Sequence, residues 1–132
     1  MKHMSVLAKL YYVLIHADTQ TSEREVSIGR QMVRHEGFSE SGFNKEVAAL
    51  DGKTPDAIYK EIVAGLKRLD TTLQIRCIAW MCIIANADGF MDKKEWQLIY
   101  KLYHKDLGLP LDQIMKAQNE LMKSLYSPLS SK

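Results

Sequence analysis

The sequence predicts an all-α fold, a single-domain bundle of about seven helices. Apolar residues recur at helical three-and-four spacing almost throughout the chain, and no segment alternates like a half-buried strand. Helix-start signals fall where the apolar runs begin. At 132 residues the chain has the size of one domain, and no stretch is long enough to act as a linker between two. The expected unit is therefore residues 1–132, with a core over 4–126 and a flexible C-terminal tail.

The first helix, 4–17, follows from Val6, Leu7, Leu10, Tyr11 and Leu14 on one face. Ser22 and Glu25 have capping-box spacing and open a second, 22–35, which stops at Gly37. A third, 39–50, ends at Asp51-Gly52. Thr54 before Pro55 is an N-cap followed by a first-turn proline, and Ile58, Ile62, Leu66 and Leu69 carry that fourth helix over 55–69. The fifth, 71–87, is apolar on nearly every face, so Ile78, Trp80, Met81, Ile83 and Ile84 should form the centre of the core. Asp92 and Glu95 repeat the capping-box spacing ahead of 92–105, and Pro110 precedes the last helix, 110–126. Trp80 and Trp96 both read as core anchors, with Trp96 pointing inward. Tyr100 and Tyr103, with Lys93, Lys94, Lys101 and Lys105, form a mildly basic aromatic surface whose default reading is a solvated helix face.

Laid over itself with a shift of seventy residues, the chain aligns Ala17-Asp18 with Ala87-Asp88, Ser22 with Asp92 and Glu25 with Glu95. The apolar frame agrees: Leu10 falls on Trp80, Leu14 on Ile84, Val26 on Trp96, Ile28 on Leu98 and Met32 on Leu102. One inserted residue then brings Gly37-Phe38 onto Gly108-Leu109. Two copies of so long a period are unlike a solenoid, and two halves about an approximate two-fold axis fit better.

The stretch Ala85-Asn86-Ala87-Asp88-Gly89, with Glu95 seven residues after Asp88, resembles the acidic signature of the TerB-like tellurite-resistance family. That family is also similar to the N-terminal domain of membrane-anchored DnaJ-like co-chaperones. The resemblance extends in organisation over residues 4–126, but only the second copy carries the whole motif, and Thr19 stands where the first copy would need glycine. It implies a non-enzymatic binding domain in stress response or tellurite resistance. It also implies a metal site at the acidic motif and a protein partner, with membrane-bound resistance proteins as the associated class. No J-domain signature is present, so the co-chaperone role is not implied.

Chemically, carboxylates at the end of one helix and in the first turn of the next can converge. Asp88, Asp92 and Glu95, joined by Asp18 and Glu25 in a two-fold arrangement, would offer hard oxygen ligands for Mg²⁺, Mn²⁺ or Ca²⁺. The alternative is capping: carboxylates in a first helical turn are favoured by the macrodipole at about 0.3–1 kcal/mol each. The order of the acids departs from an EF-hand. A metal-dependent hydrolase built on the same cluster is a further alternative, though no histidine or lysine stands at a fixed spacing to act as base. A purely structural interaction module is another.

A net charge of +2, with basic and acidic residues interleaved, points away from nucleic acid and from anionic membranes. No signal-peptide pattern opens the chain, and its longest strongly apolar run, 77–85, is too short to cross a bilayer, so a cytoplasmic protein without direct membrane insertion is expected. Cys77 and Cys82 look like small core residues instead of a disulfide or a nucleophile. His3, His16, His35 and His104 are scattered and read as surface or helix-end residues.

Overall fold

The computed structural model describes residues 3–17, 23–87 and 93–126. Among these it is all-helical: α1 (Met4–Ile15), α2 (Glu23–His35), α3 (Glu40–Ala48), α4 (Pro55–Lys67), α5 (Thr71–Ala85), α6 (Lys93–Tyr100) and α7 (Leu111–Tyr126). A π-helical turn, Lys101–Asp106, continues α6. No helix among the described residues is long and apolar enough to cross a membrane.

The caps explain where the chain turns. Ser39 Oγ accepts from Gly42 N at 3.1 Å, Thr54 Oγ1 from Ala57 N at 3.2 Å and Asp70 Oδ1 from Leu73 N at 2.8 Å. Each side chain thereby satisfies a first-turn donor that has no partner within the helix. Pro55 occupies the first position of α4, as expected. Four helices stop about two residues short of their expected ends, at Ile15, Ala48, Lys67 and Ala85. The cause is common to them. Ala17 N bonds Leu14 O, Leu50 N bonds Val47 O, Leu69 N bonds Leu66 O and Ala87 N bonds Ile84 O, so each last turn tightens from four-residue to three-residue closure.

Two helices carry the packing. α1 lies against α3 and α4, α5 lies against α2, α6 and α7, and α1 and α5 also touch each other. α5 is enclosed as its sequence requires: every residue from Cys77 through Ala85 is buried, with Trp80, Ile78 and Ile84 wholly inaccessible. Gln74 ties α5 to the preceding helix, its side-chain amide donating to Leu66 O at 2.8 Å and Leu69 O at 3.2 Å.

Two local features recur at a spacing of about seventy residues. α2 begins at Glu23 and α6 at Lys93. Gly37 and Gly108 both take a left-handed conformation, at φ 76° and 63°, and each is followed by a buried apolar residue, Phe38 or Leu109. After α2 the chain closes with Phe38 N on Val33 O at 3.0 Å and Gly37 N on Arg34 O at 3.1 Å, the two-bond arrangement that a C-terminal glycine favours. After α6 the matching bond runs from Leu109 N to Tyr103 O at 2.7 Å and spans one residue more. The π turn holds that extra residue: Leu107 N reaches Leu102 O, five residues back, at 3.0 Å. The expected helix 92–105 is therefore corrected to an eight-residue α-helix followed by a π turn.

Two substitutions separate core packing from this closure. Ile78→Ala should cost about 2–5 kcal/mol, since the site is fully enclosed. Gly108→Ala should cost only about 1–2 kcal/mol, the penalty of a left-handed alanine. Urea unfolding midpoints measure both, and equal losses would contradict this assignment.

Candidate functional site

Of the five residues expected to hold a cation, the structure describes two. Asp18, Asp88 and Asp92 lie outside the described residues, as do the expected N-caps Ser22 and Asp92. Glu25 and Glu95 occupy the third positions of α2 and α6, where capping-box geometry puts an acid. Both point inward, with Glu25 6 % and Glu95 4 % exposed. They share a stripe with apolar side chains: Glu25, Ile28, Met32 and Val33 on α2, and Glu95, Ile99, Leu102 and Tyr103 on α6 and its π turn. The first-turn N–H groups and the helix dipole make this a favourable place for a buried negative charge. The field of Glu25 reaches α1: burial pushes the Tyr11 hydroxyl up from its ordinary value, and the Glu25 charge pushes it further.

Trp96 departs from the expectation. It is 39 % exposed and does not point into the core, because its neighbour Glu95 occupies the buried stripe. Tyr103 is also corrected. It is 4 % exposed and packs inward, leaving Tyr100 and Trp96 as the exposed rings. Trp80 is the core anchor that the sequence predicts.

Among the described residues, the polar cluster with the most hydrogen bonds is one that sequence reasoning missed. Glu36, just beyond α2, is 4 % exposed in its side chain. Its Oε1 accepts from His3 Nε2 at 2.8 Å, and its Oε2 accepts from Arg76 Nε at 2.7 Å and Trp80 Nε1 at 2.8 Å. Arg76 Nη2 also reaches His35 Nδ1 at 3.3 Å. A guanidinium only donates, so Nδ1 accepts, and the ring proton on Nε2 goes to Ser124 Oγ on α7 at 3.0 Å. Burial would raise the Glu36 carboxyl, but the bonds from His3, Trp80 and Arg76 prevail and hold it below its ordinary value. One sequence signal pointed here. Arg76 is the only charged side chain of α5, one residue before its fully buried run, which calls for an anionic partner. His3 and His35 sit at helix ends as expected, but their roles are structural bonds in this network.

The thiols behave as core residues. Cys77 and Cys82 are free and buried. Burial pushes Cys77 up to about 12, assisted by the nearby Glu36 charge, and pushes Cys82 up to about 11. Neither is an activated nucleophile at neutral pH. The Tyr59 hydroxyl donates to Asp106 in the π turn, and Lys101 Nζ stands 4.4 Å from the centre of the Tyr59 ring. Among the described residues no group of three His, Cys, Asp or Glu side chains is placed to hold a metal ion.

No protein-family model, curated protein or solved structure matches the chain.

The Glu36 network makes a pH-dependent prediction. A carboxyl held below its ordinary value of 4.5 contributes stability that is present above that pH and lost as the pH falls through the folded value. Glu36→Gln should therefore lower stability by about 1–3 kcal/mol at neutral pH, toward the modest end because the Arg76 side chain is 36 % exposed. The gap from wild type should narrow on acidification below pH 4.5. Chemical denaturation of both proteins across that range checks it. A gap constant with pH would remove the carboxylate from this role.

Proposed function

We propose that this chain is a non-enzymatic, TerB-like binding domain of stress or tellurite response, which holds a divalent cation at its acidic helix-loop-helix motif and acts through a partner protein. The observation supporting it most directly is the inward burial of Glu95 in the first turn of α6, immediately beyond the Asp88-to-Asp92 segment, with Glu25 in the matching position of α2. A carboxylate that only decorated a solvated helix end would not occupy the apolar stripe. Hard oxygen donors from Asp88, Asp92 and Glu95 suit Mg²⁺, Mn²⁺ or Ca²⁺. Asp18 and Glu25 form the lesser copy, because Thr19 replaces the glycine of the motif. Pure helix capping is the competing reading, and the third-position placement of both acids favours it.

The two readings separate by mass action. An ion at about ten times its dissociation constant adds about 1.4 kcal/mol, a rise of several degrees in Tm for a domain of this size. Mg²⁺, Mn²⁺ or Ca²⁺ should produce that rise in wild type, and Asp88→Asn with Glu95→Gln should abolish it. Asp18→Asn with Glu25→Gln should leave most of it. No shift with any of the three ions at millimolar concentration would reduce the motif to capping.

A further inference from the structure

The end of α1, the first half of α4 and the α6 segment meet around a cleft of about 470 Å³. α1 packs closely on α4. The π turn after α6 is joined to α4 through side chains, by the Tyr59 hydroxyl on Asp106 and by the Lys101 ammonium 4.4 Å from the centre of the Tyr59 ring. Links of that length leave space between the backbones. The volume falls within the range of about 300–1,000 Å³ that small-molecule sites occupy. Tyr12 and Val13 of α1, Tyr59 of α4 and Leu98 of α6 line the cleft, and all four are half-buried, resting on the core with part of their apolar surface uncovered. The Tyr12 wall is held in place by its neighbour one turn on. The His16 ring stacks on it at 4.2 Å, and because a carbonyl only accepts, His16 Nδ1 carries a proton and donates it to Tyr12 O at 2.8 Å.

Two ammonium groups, Lys60 and Lys101, border these apolar walls, and both side chains are exposed. Lysines elsewhere in the bundle find carboxylates: Lys9 Nζ and Lys53 Nζ close on Glu61 at 3.3 and 3.1 Å. Among the described residues Lys60 and Lys101 form no ion pair. The nearby acids are already used. Asp106 accepts the Tyr59 hydroxyl, and Asp56, the one acid on the cleft wall, lies in the first turn of α4, where the helix dipole favours a negative charge. The Tyr59 ring draws the Lys101 ammonium to this edge of the cleft by cation–π attraction. A polar cleft of about 380 Å³ between α2 and α3 gives the contrast: Arg30 and Arg34 line it with Val26, Glu40 and Asn44, and Arg34 Nε already stands 3.7 Å from Glu40 Oε1.

Apolar walls bordered by cations without partners select the occupant. A bare inorganic anion would leave Val13 and Leu98 uncovered, and a neutral hydrocarbon would leave both ammonium groups without a counter-charge. We infer that the cleft between α1, α4 and α6 binds a small organic anion, its apolar body of one or two rings against Tyr12, Val13, Tyr59 and Leu98 and its charged head met by Lys101 and Lys60. An ammonium is a point charge without the planar fork of arginine, so the head is a carboxylate or a phosphate. None of the residues lining the cleft is a proposed cation ligand, so the site goes beyond the binding-domain reading and requires no metal.

The test titrates the full chain, in metal-free buffer, with 2-naphthoate, 2-naphthyl phosphate and the neutral 2-naphthamide, read by saturation-transfer NMR and calorimetry. At least one of the two anions should saturate a single site at millimolar concentration or below and bind roughly tenfold or more tightly than the amide, an advantage that shrinks as salt is raised. Acetate and inorganic phosphate at equal concentration should not displace it. Lys60→Gln with Lys101→Gln should weaken binding roughly tenfold or more with unchanged Tm, because both side chains are exposed. Arg30→Ala, in the polar cleft, should bind like wild type. Tighter binding of the carboxylate, or of the phosphate, identifies the head and supports the proposal. Equal binding of the amide would overturn it, as would displacement by acetate or inorganic phosphate at equal concentration. So would wild-type affinity in the double lysine variant, or a loss as large in Arg30→Ala, which would move the site to the other cleft. No saturable binding of either anion would remove the site and leave the cation reading to its own test.

Discussion

The carboxylate of Glu36 is the point on which the seating of α5 depends. A helix enclosed on nearly all sides leaves little room for polar atoms, yet α5 carries an indole N–H on Trp80 and a guanidinium on Arg76. The Trp80 N–H, left without an acceptor, would cost about 1–3 kcal/mol. A single oxygen of Glu36 serves both, and the other oxygen takes His3 from the start of the chain. Three segments distant in sequence therefore meet at one group, and no buried side-chain polar atom is left without a partner among the described residues. Apolar packing alone would tolerate a helix that slides or rotates slightly. A carboxylate with three directional donors permits one register of α5 against α2, which is the setting in which buried polar groups add specificity.

The register of α5 is passed on to α7. Arg76 extends the network through His35 to Ser124, so α7 is seated by the same group that seats α5. The end of α5 and the π turn then fix where α7 begins. A single extra residue lies between Tyr103 and Leu109 relative to Val33 and Phe38, and it is absorbed as a wider turn without breaking the helix. The wider turn also places Asp106 against Tyr59, which joins the last third of the chain to α4. Spread as strain along the helix, the extra residue would have rotated every later side chain by about 100°. Confined to one turn, it leaves Gly108 and Leu109 equivalent to Gly37 and Phe38.

Helix number, helix order and the core were legible in the sequence, because periodicity and caps act locally and agree with one another. The π turn was not legible, since spacing does not distinguish a bulge from a longer loop. The Glu36 network escaped because its members are separated by 33 to 44 positions, and only the lone arginine of α5 hinted at a partner. The candidate cation site was legible only as a pattern. Its aspartates lie outside the described residues, and burial of Glu25 and Glu95 is the part that the coordinates add.

The outward turn of Trp96 is the most informative of these differences. Counting back from Ile99 at helical spacing reaches position 95 by one route and position 96 by the other, so periodicity allows either to face inward. Ordinary burial preferences choose the tryptophan and leave the glutamate in water. The helix terminus reverses that preference, because first-turn N–H groups and the dipole lower the cost of burying a carboxylate there and nowhere else along the helix. Once Glu95 faces inward, Trp96 is turned by about 100° toward the surface, where it stands beside Tyr100. The same holds on α2, where Glu25 faces inward and Val26 lines the polar cleft. The buried carboxylate and the exposed tryptophan are thus two consequences of one helix orientation. Any ion that repositions Glu95 would be felt one residue later, at the exposed ring of Trp96.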